Sequence, residues 1–259
     1  MKKLLFLLSA LMVVLTSCSN DDSPANPSDS SNVLIKKIII ESIKEGTTEI
    51  NFTYDGKKLV EQKGSGYFNY TKRFYYTGDL ITRYEMIWGP KSTFVTDLTY
   101  EKGKLKTLYG NRNYILTGLP YIQKKTYTYN LDGSVSFVID EIDKDTHEIL
   151  SSRTGRLTYV NGNMVKDQRF DDPTGYLSMT LDYDTKNNPF KNIIGLNLVL
   201  GYYDSDFSVN NVSKLTTNGI YSSPWSVSYV YEYDENNFPT VAKHFDDKGN
   251  VYQTTKYFY

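Results

Sequence analysis

The sequence has few of the residues that most often carry catalysis, metal binding or covalent cross-linking. Its 259 residues include one cysteine, Cys18, and two histidines, His147 and His244. A single cysteine excludes a disulfide within the chain, so the fold must be stabilised by packing. There is also no G-x-S-x-G element, no glycine-rich phosphate loop and no Cys/His nucleophile pair. We therefore expect no cofactor and no metal, and the sequence indicates no enzyme.

The sequence has only one long apolar run, and it lies at the beginning. Leu4 to Leu15 follows Lys2 and Lys3 and precedes small residues, which is the pattern of an export signal peptide over residues 1–17. The run is too short for a membrane-spanning helix, which needs about 20 residues.

The residues around the cysteine resemble a known anchoring motif. Leu15-Thr16-Ser17-Cys18 is similar to the lipobox of bacterial lipoproteins. The resemblance implies cleavage before Cys18, acylation of Cys18 as the lipid attachment site, and anchoring in the outer membrane. The alternative is an ordinary signal peptide with an incidental cysteine.

The segment after Cys18 is predicted to be a flexible acidic tether. Residues 18–32 contain no apolar side chain larger than alanine apart from the cysteine, so they cannot bury enough surface to become ordered. The tether spans on the order of 20 Å as a random coil. The pair Asp21-Asp22 resembles the surface-export signal of Bacteroidetes-type lipoproteins, which implies a protein facing the cell surface. The periplasmic face is the alternative.

The charge balance has no basic excess. Without Lys2 and Lys3, 27 Lys and Arg residues stand against 30 Asp and Glu residues, a net charge of −3. Such a chain is not expected to bind nucleic acid, because there is no cationic surplus to neutralise phosphates.

Tyrosine, in contrast, is abundant, and its 24 copies follow a pattern. Segments of an apolar or aromatic residue, one intervening residue and a tyrosine recur, each followed by a turn and a second run: FTYDGKKLV from Phe52, FYYTGDLIT from Phe74, LTYEKGKLK from Leu98, YTYNLDGSV from Tyr127, LTYVNGNMV from Leu157, LDYDTKNNPF from Leu181 and YEYDENNFP from Tyr231. Self-similarity at this period indicates repeated supersecondary units.

Each unit is predicted to be a β-hairpin. Residues i and i+2 share one face of a strand, so Phe52 and Tyr54 present paired rings on one side. Asp55-Gly56, Asp132-Gly133 and Asn161-Gly162 supply residues that tolerate positive φ in tight turns. The final strand is predicted over residues 251–259.

These hairpins predict one all-β domain over residues 33–259. We expect an antiparallel meander of about fourteen to sixteen strands, rolled into a barrel or an extended curved sheet. A barrel embedded in the membrane is a rival, although the strands carry charges at many positions and show no outward apolar band.

One irregular insertion interrupts the repeats near residues 186–226. Residues 193–200 within it are nearly continuously apolar and fit either a short helix or a buried strand. The insertion is predicted to be either a functional element or a plug that covers one end of the sheet.

The units FTYDGKKL and RFYYTGDLITRY resemble the YD repeats of RHS-like proteins. Together with the lipobox and the acidic tether, they are more similar to uncharacterised Bacteroidetes-type surface lipoproteins with a domain described as porin-like in fold. The resemblance covers residues 33–259 and implies an antiparallel β architecture, but no activity.

Aromatic residues are the main candidates for a binding site. Trp88 and Trp225 are flanked by proline and small residues, which indicates loops or strand edges, and Tyr202 and Tyr203 lie in the insertion. Exposed rings of this kind can stack on a sugar. Covering the hydrophobic core is the alternative role for such rings.

The acidic pairs Asp171-Asp172, Asp204 with Asp206, and Asp246-Asp247 could supply the two carboxylates of a glycosidase, and Asp143, Asp145 and His147 could surround a hard cation. The alternative is a solvated turn, because all of them lie in turn-like sequence. In such positions aspartate commonly bonds its own backbone.

Three functions remain open at this point. A non-catalytic binding protein for glycan or another envelope ligand predicts exposed aromatic residues clustered around one site. A scaffold for an envelope protein predicts no concave site. A glycan hydrolase predicts two carboxylates that converge in a pocket.

Overall fold

The fold is all-β. A computed structural model describes residues 30–89, 92–113, 120–170, 176–200, 208–219 and 224–259. The strands are β1 (Lys37–Ser42), β2 (Gly46–Asp55), β3 (Lys58–Gly66), β4 (Tyr70–Thr77), β5 (Leu80–Trp88), β6 (Ser92–Glu101), β7 (Lys104–Asn113), β8 (Pro120–Tyr129), β9 (Val135–Asp143), β10 (Ile149–Val160), β11 (Asn163–Arg169), β12 (Tyr176–Tyr183), β13 (Val212–Gly219), β14 (Trp225–Tyr233), β15 (Pro239–Phe245) and β16 (Val251–Phe258). Within these ranges the helices are two single 3-10 turns, Ser30–Asn32 and Leu196–Leu198.

The sixteen strands form one closed antiparallel barrel. Each strand pairs with its neighbours in sequence, and β1 also pairs with β16, where Ile38 lies opposite Tyr257. The barrel form of the predicted meander is therefore confirmed, and closure removes the exposed sheet edges of a curved open sheet.

The sequence repeats are the hairpins of this barrel. Phe52 and Tyr54 both point inward, as the alternation predicts, because the burial of β2 alternates and its inward positions are the less exposed ones. Asn161 and Gly162 form a two-residue turn with φ values of 52° and 79°, as a tight hairpin requires. The turn after β2 is formed by Gly56 and Lys57, one residue later than predicted.

The repeated tyrosines connect successive hairpins. Each of six hydroxyl groups donates a hydrogen bond of 2.6–3.1 Å to a backbone carbonyl 19 to 24 residues earlier. We call these residues the interhairpin tyrosines: Tyr54, Tyr100, Tyr129, Tyr183, Tyr231 and Tyr259. The ring supplies apolar area to the lumen while the hydroxyl satisfies a carbonyl. A phenylalanine at the same position would supply the ring but not the donor.

Loss of one of these hydroxyl groups is expected to destabilise the barrel. Tyr100 donates to the carbonyl of Ile81 over 2.8 Å, and Tyr100→Phe leaves that part-buried carbonyl without this donor. We expect the free energy of unfolding, measured by urea denaturation, to fall by about 1–2 kcal/mol. The control is Tyr75→Phe, whose exposed hydroxyl donates to Glu85 on the outer surface, with an expected loss below about 0.5 kcal/mol. Equal losses in the two variants would contradict the connecting role.

The outer face of the barrel is polar. Cross-strand ion pairs lie on it, among them Arg73 with Glu61 at 3.2 Å, Arg83 with Asp97 at 2.6 Å and Lys256 with Glu41 at 2.7 Å. A barrel embedded in a bilayer carries an apolar band on its outer face. Each Arg or Lys that faces lipid at the bilayer midplane costs about 2–4 kcal/mol. The charges therefore argue against the membrane-embedded rival. Within the described residues, no helix has the length and apolar composition needed to cross a bilayer.

One end of the barrel is closed by protein. We call it the closed end; it contains the turn at Gly56 and the insertion between β12 and β13, of which residues 184–200 and 208–211 are described. Ile193 and Leu196 of the insertion join the core formed by inward side chains such as Leu59, Ile81 and Leu105. The apolar stretch 193–200 is thus a chain of turns with one 3-10 turn, and β13 already begins at Val212, inside the range predicted for the insertion.

Candidate functional site

The described part of the lumen contains a cavity of about 290 Å³. It lies between the insertion and the inward faces of β1–β3 and β13–β16, and we call it the lumen cavity. Its walls combine aromatic and aliphatic side chains with amide, hydroxyl and imidazole groups. The lining residues are Ile38, Ile40, Ile50, Phe52, Gln62, Asn188, Pro189, Phe190, Asn211, Val212, Tyr229, Tyr231, His244, Gln253, Thr255 and Tyr257.

The insertion supplies the floor of the lumen cavity. The ring of Phe190 lies 5.9 Å from that of Phe52, centroid to centroid. Asp184 anchors the base of the insertion, because its carboxylate accepts hydrogen bonds from the hydroxyl of Tyr233 and from the backbone and side chain of Asn211. Tyr76 on β4 donates to the carbonyl of Ile194 over 3.2 Å. The floor is thus attached to both sides of the barrel.

His244 is the histidine in the wall of the lumen cavity. Its Nδ1 lies 3.3 Å from the amide nitrogen of Gln253, and its Nε2 lies 3.1 Å from the hydroxyl of Thr255. An amide nitrogen only donates, so Nδ1 accepts, and the neutral ring carries its proton on Nε2. Burial lowers the pKa of His244 to about 4. At neutral pH this wall is therefore polar and uncharged.

The buried imidazole predicts a pH dependence of stability. In the unfolded chain the pKa of histidine is about 6.5, so between pH 6.5 and 4 the unfolded state binds a proton that the folded state does not. The free energy of unfolding therefore falls as the pH decreases through this window. We expect His244 to contribute about 2 kcal/mol to that fall between pH 7 and 4.5, measured by urea denaturation.

The matched control uses the other histidine. His147 lies in the exposed β9–β10 turn, so His147→Gln is expected to retain the fall and His244→Gln to reduce it. If the two variants showed the same pH dependence, His244 would not be the group responsible.

Aromatic residues form a second feature at the other end of the barrel, which we call the rim end. Trp88 is the last residue of β5, and its ring lies 5.4 Å from that of Tyr70 and 6.5 Å from that of Phe68. The ring of Phe68 in turn contacts that of Tyr67 at 4.7 Å. We call these four residues the rim cluster. Trp88 is 41% exposed, so its ring is available to a ligand.

The rim cluster is connected to the lumen cavity. Gln62, which lines the cavity, donates a hydrogen bond of 2.8 Å to the hydroxyl of Tyr70. The Tyr70 ring passes over Gly64, where a Cβ atom would lie 2.3 Å from the ring. The backbone of Tyr67 donates to the carbonyl of Thr47 on the neighbouring strand. The cluster therefore stands on a fixed turn directly above the cavity wall.

Trp225 lies on the opposite side of the rim end. It is the first residue of β14 and is 48% exposed. Its position has the same inward parity as Tyr229 and Tyr231 of the lumen cavity, so it lies above that wall. Nine steps around the barrel separate β5 from β14 in one direction and seven in the other. Both tryptophans are terminal residues of strands rather than loop residues, and the structure does not bring them together.

The barrel resembles porin-like proteins from Bacteroides. A porin-like protein from Bacteroides vulgatus matches with a TM-score of 0.58 and 14% sequence identity, over 88% of this chain and 98% of that chain. One from Bacteroides uniformis matches with a TM-score of 0.54 and 14% identity, over 86% of this chain and 97% of that chain.

These likenesses concern the fold, because the sequence identity is low. No protein-family model matches the chain, and no curated protein does. The porin-like architecture expected from the sequence is confirmed, while the lipid anchor and the relation to YD repeats stay predictions.

The other sequence candidates lie elsewhere. Cys18, Tyr202, Tyr203, Asp171-Asp172 and Asp204 with Asp206 lie outside the described residues. Asp246 accepts hydrogen bonds from the backbone of Lys248 and Asn250, and Asp143 from that of Asp145 and Thr146. These bonds lower the pKa of both aspartates and identify them as turn residues. In the part of the chain that the structure describes, no group of three or more His, Cys, Asp or Glu side chains is placed to hold a metal ion.

The sequence interpretation missed the polar residues of the lumen cavity. His244 lies near the end of β15, and its side chain points inward beside Gln253 and Thr255. The signal that could have found these residues was their position in the inward–outward alternation of each strand. His244 lies opposite Tyr229, and Gln253 lies opposite His244, so polar residues in register with the aromatic face were the ones to select.

Proposed function

We propose that the protein is a lipid-anchored, non-catalytic envelope barrel that binds a glycan-type ligand in its lumen. The observation that supports this proposal is the lumen cavity, in which aromatic side chains lie beside neutral hydrogen-bonding groups. Sugars present an apolar ring face and many hydroxyl groups, and pockets with few convergent polar groups and aromatic walls suit such ligands. The concave site also favours binding over the scaffold hypothesis.

The charge distribution supports a tethered barrel rather than an embedded one. Cross-strand ion pairs lie on the outer face, and the fold neighbours are porin-like, which is consistent with an outer-membrane location. The chain enters the barrel at the closed end, where Asn192 of the insertion donates to the carbonyl of Val33 and Lys57 donates to that of Ser31. A lipid on Cys18 would hold this end nearer the membrane and leave the rim end facing away.

Glycan binding is tested with purified protein lacking residues 1–29. We expect this barrel to remain in solution without detergent, to be retarded in native gels that contain its polysaccharide, and to change its tryptophan fluorescence. Trp88→Ala is expected to weaken binding about tenfold. Tyr109→Ala, which removes an exposed aromatic ring on the outer face, is the control and is expected to bind as the unmodified protein does.

Two outcomes would overturn the proposal. The first is the absence of retardation across a broad panel of glycans, which would redirect the search to a protein partner. The second is the release of reducing sugar over time, which would revive the hydrolase hypothesis.

A further inference from the structure

Within the described residues, the lumen cavity is bounded by protein on the side of the closed end. At the closed end the floor consists of Asn188, Pro189 and Phe190, and Asn188 and Pro189 are buried. The insertion that carries them is bonded to β14 through Asp184, to β4 through Ile194 and to the β2–β3 turn, where the backbone of Ile194 donates to Lys57. The described part of the insertion therefore lies across the path that a polymer would take through the cavity to the closed end.

The lining of the lumen cavity is uncharged at neutral pH. Its sixteen described residues include no Asp, Glu, Lys or Arg, and burial holds His244 neutral. An ionised ligand group placed here would lose its hydration without gaining a counter-charge, which is strongly unfavourable. Hydroxyl groups, in contrast, can pair with the side chains of Gln253 and Thr255. The uncharged lining therefore favours a neutral ligand with many hydroxyl groups.

The size of the cavity limits how much of a ligand enters. About 290 Å³ lies at the small end of ligand pockets, which run from about 300 to 1,000 Å³. The space suits one small ring rather than an oligomer. Additional units must therefore lie outside, toward the rim end.

The rim cluster provides a surface for the next unit. It begins where Tyr70 accepts the hydrogen bond of Gln62 and continues outward through Trp88 and Phe68. Aromatic rings that pack edge to face, are about half exposed and are held by fixed backbone can pack against a second sugar ring. The lumen cavity and the rim cluster are thus neighbouring positions for two successive sugar units.

From these observations we infer that the barrel recognises the end of a neutral glycan chain, with the terminal ring in the lumen cavity and the preceding ring on the rim cluster. This inference rests on the proposed function and adds to it a direction of binding and a ligand class. Internal segments of a chain cannot reach the cavity, because both of their continuations would have to leave through the same entrance.

The test compares neutral sugars that differ in their ends. Calorimetric titration of the purified protein would use glucose, galactose, mannose and N-acetylglucosamine, their linear oligomers, and a cyclic glucan with its linear counterpart. We expect the dissociation constant per chain end to be nearly constant once two units are present. The cyclic glucan is expected to bind at least about tenfold more weakly than its linear counterpart.

Variants separate the two positions. Gln253→Leu changes the cavity wall and is expected to weaken both monosaccharide and oligomer about tenfold, with Thr255→Val as a second variant. Trp88→Ala is expected to leave monosaccharide binding within about twofold and to weaken oligomers about tenfold. The control Gln168→Leu alters an outward glutamine of β11 and is expected to change neither.

The outcomes distinguish the inference from the proposed function. Equal binding of cyclic and linear glucans, or tighter binding of acidic oligosaccharides than of neutral ones, would overturn recognition of a neutral chain end and leave glycan binding standing. Binding of no saccharide at all would overturn both.

Discussion

Replacing Phe238 by alanine is expected to lower the free energy of unfolding by about 3–5 kcal/mol. The Phe238 ring is 0% exposed and packs against that of Tyr259 at a centroid distance of 5.4 Å. The hydroxyl of Tyr259 donates to the carbonyl of Pro239, so a cavity here also loosens an interhairpin bond. Urea denaturation monitored by circular dichroism measures the loss.

Phe238 lies in the β14–β15 turn, and another turn of the barrel offers a matched control for its substitution. Leu131 lies in the β8–β9 turn with its side chain fully in solvent. Leu131→Ala is expected to change the free energy of unfolding by less than about 0.5 kcal/mol. If the two substitutions destabilised the protein equally, burial of Phe238 would not explain the effect.

Replacing Asp167 by alanine is expected to lower the free energy of unfolding by a similar amount. Asp167 is 0% exposed on the inward face of β11, with its carboxylate 3.8 Å from the guanidinium of Arg169. Removal of the carboxylate leaves the cation of Arg169 in the lumen without that counter-charge. Breaking a buried pair in this way typically costs about 3–5 kcal/mol.

The outer face supplies the control for this ion pair. Arg83 and Asp97 pair at 2.6 Å, but both side chains are nearly half exposed, and Asp97→Ala is expected to cost about 0–1 kcal/mol. The double variant Asp167→Leu with Arg169→Met is expected to recover most of the loss, because apolar residues of similar volume replace the pair. A double variant as unstable as Asp167→Ala would contradict an electrostatic origin.

Much of the barrel could be predicted because each hairpin is specified by residues that are adjacent in sequence. The alternation in FTYDGKKLV places Phe52 and Tyr54 on one face, and Asn161-Gly162 defines a tight turn. Each such unit specifies a hairpin without reference to the rest of the chain. Repetition of the unit then makes a meander the natural arrangement.

The candidate site was harder to predict because its residues meet only after the barrel closes. Phe190 contacts Phe52, and Tyr76 bonds to Ile194, across large separations in sequence that no local pattern encodes. Continuous apolar residues in the insertion fit helix and strand equally. The positions of Trp88 and Trp225 on opposite sides depend on counting every strand between them.

The pairing of β1 with β16 also governs how the protein acquires its structure. The first strand in sequence, Lys37–Ser42, forms its second ladder with Val251–Phe258, the last strand. Contacts between such distant segments raise the contact order, so the closing step is expected to be slow compared with the formation of each hairpin. Until that step is complete, the growing sheet has two open edges that can pair with other chains. The unclosed sheet is therefore the state in which the chain is most exposed to aggregation.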